Sequence, residues 1–167
     1  KLHGFMPENG ADRHEKTDRV PYKSWAEAGY CTLTPGDVTD NSYVYNWICE
    51  GEREHGWEVE EVDYDGRNAT DLAIRMNEDR NREDFCVEVS QTCAGQNLAV
   101  KTFRELLLQD KVVLEESPLV LWCLQNAIEI QNNYGDIKLS KRHKDDTERI
   151  DPVAAAMNAL ARLLVRE

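Results

Sequence analysis

The chain has 167 residues, 41% of them hydrophobic, and a formal net charge of −12. That length suits a single domain over 1–167 with a core of its own. The acidity excludes a protein that grips nucleic acid by bulk electrostatics, because phosphate contacts need Lys and Arg.

In chain order, residues 1–20 are polar and read as an irregular start, and an α/β core is expected over 21–167. Lys23 to Ala28 reads as a short helix stopped by Gly29. Tyr30-Cys31-Thr32-Leu33-Thr34 is a strand ended by Pro35-Gly36, a turn signal. Asp40 or Asn41 can cap a helix whose Tyr43, Val44, Trp47 and Ile48 form an apolar stripe, with Gly56 as its stop. Residues 57–65 read as a strand that closes on Asp65. Asn68 or Thr70 caps the next helix, with Leu72, Ile74 and Met76 facing inward. Residues 85–89 are a short strand, and Leu98 to Gln109 a helix carrying Val100, Phe103, Leu106 and Leu107. Val112-Val113-Leu114 is expected as a strand, Leu119 to Gln131 as an apolar helix, and Ile137-Lys138-Leu139 as a strand after the Tyr134-Gly135-Asp136 turn. The last helix spans roughly 14 residues, about 21 Å, with Asp151 at the N-cap and Pro152 at the first helical position. Strands alternating with helices predict an α/β fold with a mostly parallel central sheet.

Five cysteines form an odd set without CxxC spacing, which suits reduced thiols in a cytosolic compartment. The four histidines are scattered, so no zinc site is expected. No apolar run approaches the roughly 20 residues that span a bilayer, no secretory signal opens the chain, and no membrane partner is expected. The chain begins at Lys1 rather than Met, which reads as a piece of a longer polypeptide.

Two carboxylates stand out. Asp65 ends a strand, and Asp151 opens a helix whose run Val153-Ala154-Ala155-Ala156 suits close packing on a sheet. Carboxylates at a strand end and a helix start can converge over the carboxyl edge of an open α/β sheet, where such folds place their sites. Asp63 shares the face of Asp65 because side chains alternate along a strand. Hard cations such as Mg²⁺ and Mn²⁺ take carboxylate oxygens, and two of them about 4 Å apart can activate water at a phosphodiester. Each carboxylate also has a plain structural reading, as an acidic strand end or a helix cap. A basic stripe of Lys138, Lys141, Arg142, His143 and Lys144 offers phosphate contacts, or a solvated loop. There is no Walker A loop, no GxSxG and no Cys–His constellation.

Taken in order, VPYKSWAEAGYCTLTPGDVTD, VEEVDYDGRNA, SQTCAGQNLAVKTFRELLLQDKVVL, SPLVLWCLQNAIEIQNNYGDIKLSK and ERIDPVAAAMNALARLL resemble the C-terminal nuclease domain of tailed-phage terminase large subunits. The resemblance runs from Val20 to the end. It implies a ribonuclease H-like mixed sheet flanked by helices, and an endonuclease that cuts concatemeric double-stranded DNA with two Mg²⁺ or Mn²⁺ ions during genome packaging. Asp65 and Asp151 match the family's catalytic metal-binding acids, Asp63 is an additional acid on the same face, and Lys138, Lys141, Arg142 and Lys144 would meet DNA. Gly66 stands where many relatives have proline. The family's first metal-binding Asp lies on an opening strand ahead of Phe5-Met6-Pro7, so the sheet is expected to be incomplete on its N-terminal side, without that strand or the ATPase domain. The resemblance further implies portal protein, small terminase subunit and further copies of the chain as partners, in the host cytoplasm. Two rivals share the same residues: another ribonuclease H-like nuclease of resolvase or integrase type, and a docking module without catalysis.

Overall fold

The computed structural model describes residues 1–67, 69–142 and 147–166. Strand β1 (Gly4–Pro7) leads into helices α1 (Glu8–Asp18) and α2 (Tyr22–Glu27), then strand β2 (Cys31–Thr34), which pairs parallel to β1 in the register Gly4↔Cys31. Helix α3 (Asn41–His55) follows. Asp40 caps it by accepting the Ser42 N–H at 2.8 Å, and Gly56 ends it in the left-handed region. Strand β3 (Val62–Tyr64), helix α4 (Thr70–Arg80) and strand β4 (Cys86–Glu88) form a second parallel pair, Val62↔Cys86 to Tyr64↔Glu88. Helices α5 (Cys93–Leu108) and α6 (Pro118–Asn126) precede the antiparallel hairpin β5 (Ala127–Gln131) and β6 (Ile137–Lys141), and helix α7 (Asp151–Leu163) closes the fold. Among the described residues the strands thus make three two-stranded sheets, two parallel and one antiparallel, within a mixed α/β architecture.

The apolar side chains gather in three clusters. Tyr22, Cys31, Leu119, Cys123 and Val153 form one around β2 and α6; Ala73, Met76, Phe85 and Cys86 a second around α4 and β4; Val100, Ile137 and Met157 a third between α5 and β6. Helix α7 joins them, because Val153 faces the first cluster, Met157 the third, and Arg162 reaches Glu61 beside β3. Its small residues allow this approach on several sides at once. A buried amide network continues the contact: Gln96 donates to Gln91, which donates to Asn158 of α7. These groups are satisfied by one another, as buried amides must be.

Several expectations change. Residues 1–20 are not irregular: they hold β1 and α1, missed because α1 buries only Ala11 and Asp18 and carries little apolar signal. The strand over 57–65 shortens to Val62–Tyr64, since Trp57 folds back onto Gly51 of α3 and β4 offers only three partners. Ile74 is 52% exposed, not inward. Thr70 opens α4 without a side-chain cap, and Asn68, the other candidate, lies outside the described residues. Val112-Val113-Leu114 forms no strand; Val113 is 96% exposed with no neighbouring chain to pair with. The helix expected to Gln131 stops at Asn126, because Ala127-Ile128-Glu129-Ile130-Gln131 alternates and pairs with β6 across a turn tied by Asn132 and completed by Gly135 at positive φ. Asp151 is the first helical residue rather than the N-cap, which is Ile150, and no side chain caps α7.

Candidate metal and nucleic-acid site

Because β3 and β4 are parallel, their carboxyl ends share one edge, and Asp65 follows β3 directly on that edge. Its Oδ1 accepts the N–H of Arg67 at 3.2 Å, an Asx-type turn that orients the carboxyl group. Gly66 lies under the carboxylate of Glu88 from the end of β4, where a Cβ would come within 2.3 Å of Oε1. Asp65 Oδ2 has no hydrogen-bond partner among the described residues.

Asp151 stands exposed at the start of α7, and its carboxylate makes no hydrogen bond or ion pair among the described residues. The helix does not use it as a cap. The turn beneath it is fixed instead by its neighbours: the Ile150 carbonyl accepts from Val153 and Ala154, both at 2.9 Å, and buried Pro152 sets φ for the first turn. Burial, with the charge of Asp151 added, pushes the Cys123 thiol up to about 12, so that cysteine stays a neutral core residue.

Asp151 also lines a cavity of about 560 Å³ with Gly4 to Pro7, Trp47, Leu119, His14 and Arg149. One side of β1 packs on α6 through Gly4 and Met6, and the other meets Trp47 of α3 through His3 and Phe5. The cavity is lined by β1 and by neighbours on both of its faces, Leu119 of α6 and Trp47 of α3.

Asp63 has different surroundings. It sits 3.8 Å from Arg162 Nε, near the end of α7 that Asp151 does not occupy, and its Oδ1 is buried without a hydrogen bond among the described residues. Arg162 instead donates two bonds to Glu61, at 2.8 and 3.0 Å. Hydrogen bonding to Arg162 lowers Glu61 to about 2, whereas burial and then the adjacent Glu61 raise Asp63 to about 7. Asp151 and Arg162 are roughly 16 Å apart along the helix axis. Asp63 is therefore part of an ion-pair cluster with Glu61 and Arg162, on a different part of α7 from Asp151.

The basic stripe is divided as well. Lys138 donates to the Gln91 carbonyl at 3.0 Å, and Arg142 to that of Gln125 at 3.1 Å. Strand alternation places Lys138 and Lys141 on opposite faces of β6. His143 and Lys144 lie outside the described residues.

No group of three or more His, Cys, Asp or Glu side chains is close enough to hold a metal ion among the described residues. The donor chemistry nevertheless fits a hard cation, since Mg²⁺ characteristically takes one or two carboxylates and completes its shell with water and substrate phosphates. Sequence reasoning passed over the residues behind Asp151, namely His14, Asp18, Tyr22 and Arg149. The available signal was the place of Asp18 and Tyr22 in the segment DRVPY and of Arg149 in ERIDP; His14 lies in neither.

The model of the terminase large subunit endonuclease domain family matches residues 1–167. The chain is 28% identical over 159 residues to the large subunit of the terminase of Enterobacteria phage HK97, covering 90% of this chain and 29% of that protein. It superposes on the crystal structure of the HK97 bacteriophage large terminase with a TM-score of 0.81 at 26% identity, over 95% of this chain and 32% of the other. The chain therefore spans less than a third of the length of either relative.

Proposed function

The chain belongs to the terminase large subunit endonuclease domain family, and from that premise we propose that it cuts concatemeric double-stranded DNA for a viral packaging motor, with Asp65 and Asp151 holding Mg²⁺ or Mn²⁺. The observation that carries this reading is the pair of carboxylates, one at a strand end and one at a helix start, each with oxygens that no partner takes up among the described residues. Both sit on locally ordered backbone: Asp65 in its turn with the Arg67 N–H, Asp151 on the turn set by Pro152 at the start of the closely packed α7.

When bound, the cations would supply neutralising charge at the scissile phosphate and acidify a water molecule. Asp65 and Asp151 would bind and orient them, and their negative charge would be screened from DNA in doing so. That accounts for a nuclease with a formal charge of −12. Arg142, exposed at the end of β6, would contact the phosphate backbone, joined by Lys141 and Lys144. Asp63 falls outside the proposed ligand set because it is engaged with Glu61 and Arg162. The further carboxylate that the family resemblance implies, on a strand ahead of Gly4, would fit near β1, whose residues line the same cavity as Asp151. Portal protein and small terminase subunit are the assembly partners this function requires, with the host cytoplasm as its place of action.

Mn²⁺ located by its anomalous scattering in crystals of the complete protein tests the reading. Ions coordinated by Asp65 and Asp151 support it; crystals in which neither carboxylate contacts an ordered ion would remove its basis.

A further inference from the structure

We propose that Arg149 and Asp18 are positioning residues for Asp151, an inference that rests on Asp151 being a metal-holding carboxylate. Arg149 precedes Asp151 by two residues and is held at both ends. Its carbonyl accepts from Asn126 Nδ2 at 3.3 Å, and its guanidinium reaches across to α1. There Nε lies 3.4 Å from Asp18 Oδ2, and one terminal nitrogen lies 3.1 Å from His14 Nδ1. Arginine only donates, so Nδ1 of His14 accepts in this contact.

The anchor is rigid. The Asp18 side chain has 0% exposure and is satisfied on both oxygens: Thr17 donates to Oδ1 at 2.8 Å, and the Tyr22 hydroxyl donates to Oδ2 at 2.7 Å. Tyr22 belongs to the first core cluster, so the network is continuous with packed apolar side chains. An ion pair that buries the Asp18 carboxylate completely is a poor device for stability alone, since apolar residues of similar volume often do as well. Its distinctive effect here is geometric: it fixes the two-residue approach to a helix start that no side chain caps. A carboxylate set by only one helical turn needs such support, because groups behind a metal ligand commonly change metal affinity or activity ~10–100-fold when removed.

The test is Mn²⁺ binding to the complete protein, read from the electron paramagnetic resonance of free Mn²⁺ without DNA, beside the kcat and KM of DNA cleavage. Arg149→Lys keeps the positive charge next to Asp18 and loses the planar fork. It is expected to weaken Mn²⁺ at least about tenfold and to lower kcat, leaving KM for DNA unchanged. The double variant Asp18→Asn with Arg149→Gln removes both charges, so neither is left buried alone, and should show the same loss if Arg149→Lys does not fold. Binding equal to the parent in either folded variant, or a rise in KM alone, overturns the positioning role. Asp151→Asn separates the two readings: if it too binds Mn²⁺ and cuts like the parent, the assignment of Asp151 itself is wrong.

Discussion

Asp63 lies 3.8 Å from Arg162 Nε, close to the far end of the helix that Asp151 opens. One helix thereby meets acidic side chains in two different settings at its two ends. Its first turn presents an exposed carboxylate, and its last turns lock α7 to the approach of β3 through Arg162 and Glu61.

This lock gives stability a pH dependence with two opposed limbs. Glu61 is lowered from its ordinary 4.5 to about 2, so its contribution is present above pH 4.5 and lost as pH falls through about 2. Asp63 is raised from 3.8 to about 7, so the folded chain holds a proton that the unfolded chain has released. Its contribution is full below about pH 4 and lost as pH rises through about 7. Urea midpoints at pH 4.5, 6 and 7.5 should therefore fall across the series in the parent, and Asp63→Asn should flatten that fall. An unchanged slope in Asp63→Asn would contradict the assignment.

A second expectation concerns α3 and the segment after it. A Cβ at Gly51 would come within 2.0 Å of the Trp57 ring, which is packed against Trp47. Gly51→Ala should destabilise by about 1–3 kcal/mol through overpacking, although alanine in a helix is worth roughly 1 kcal/mol over glycine. Urea denaturation measures the balance, and a stabilised variant would show that Trp57 is not seated there.

The basic residues divide by burial. Both donate to a backbone carbonyl, Lys138 to Gln91 and Arg142 to Gln125, but Lys138 is half-buried whereas Arg142 is exposed. Arg142→Ala should lower the slope of log affinity for DNA against log salt by about 1, the signature of one lost phosphate contact. Lys138→Ala should leave that slope unchanged. The reverse pattern would exchange their roles.

The legible parts of this fold were those with strong local chemistry. Asp40 and Gly56 bracket α3 as cap and stop, and Cys31 to Thr34 reads as a strand from its β-formers and the Pro35-Gly36 turn. Asp65 and Asp151 were visible as residues at the ends of elements. The order of motifs pointed to the family that the full-length match then established. What the sequence hid is held by distant contacts. β1 is a strand only because β2 lies beside it, and α1 is helical with almost no apolar face. Asp63 read as an additional acid beside Asp65 because alternation assigns a face and says nothing of Arg162, 99 positions onward. Asp18 and Arg149, 131 positions apart, meet only in the folded chain.

Cleavage of linear double-stranded DNA by the complete protein, with Mg²⁺ or Mn²⁺ supplied, tests the central claim most directly when Asp65→Asn, Asp151→Asn and Asp63→Asn are compared with the parent. Loss of cutting in the first two, with Asp63→Asn still active, is the expected result. Cutting that survives Asp65→Asn or Asp151→Asn would contradict the account.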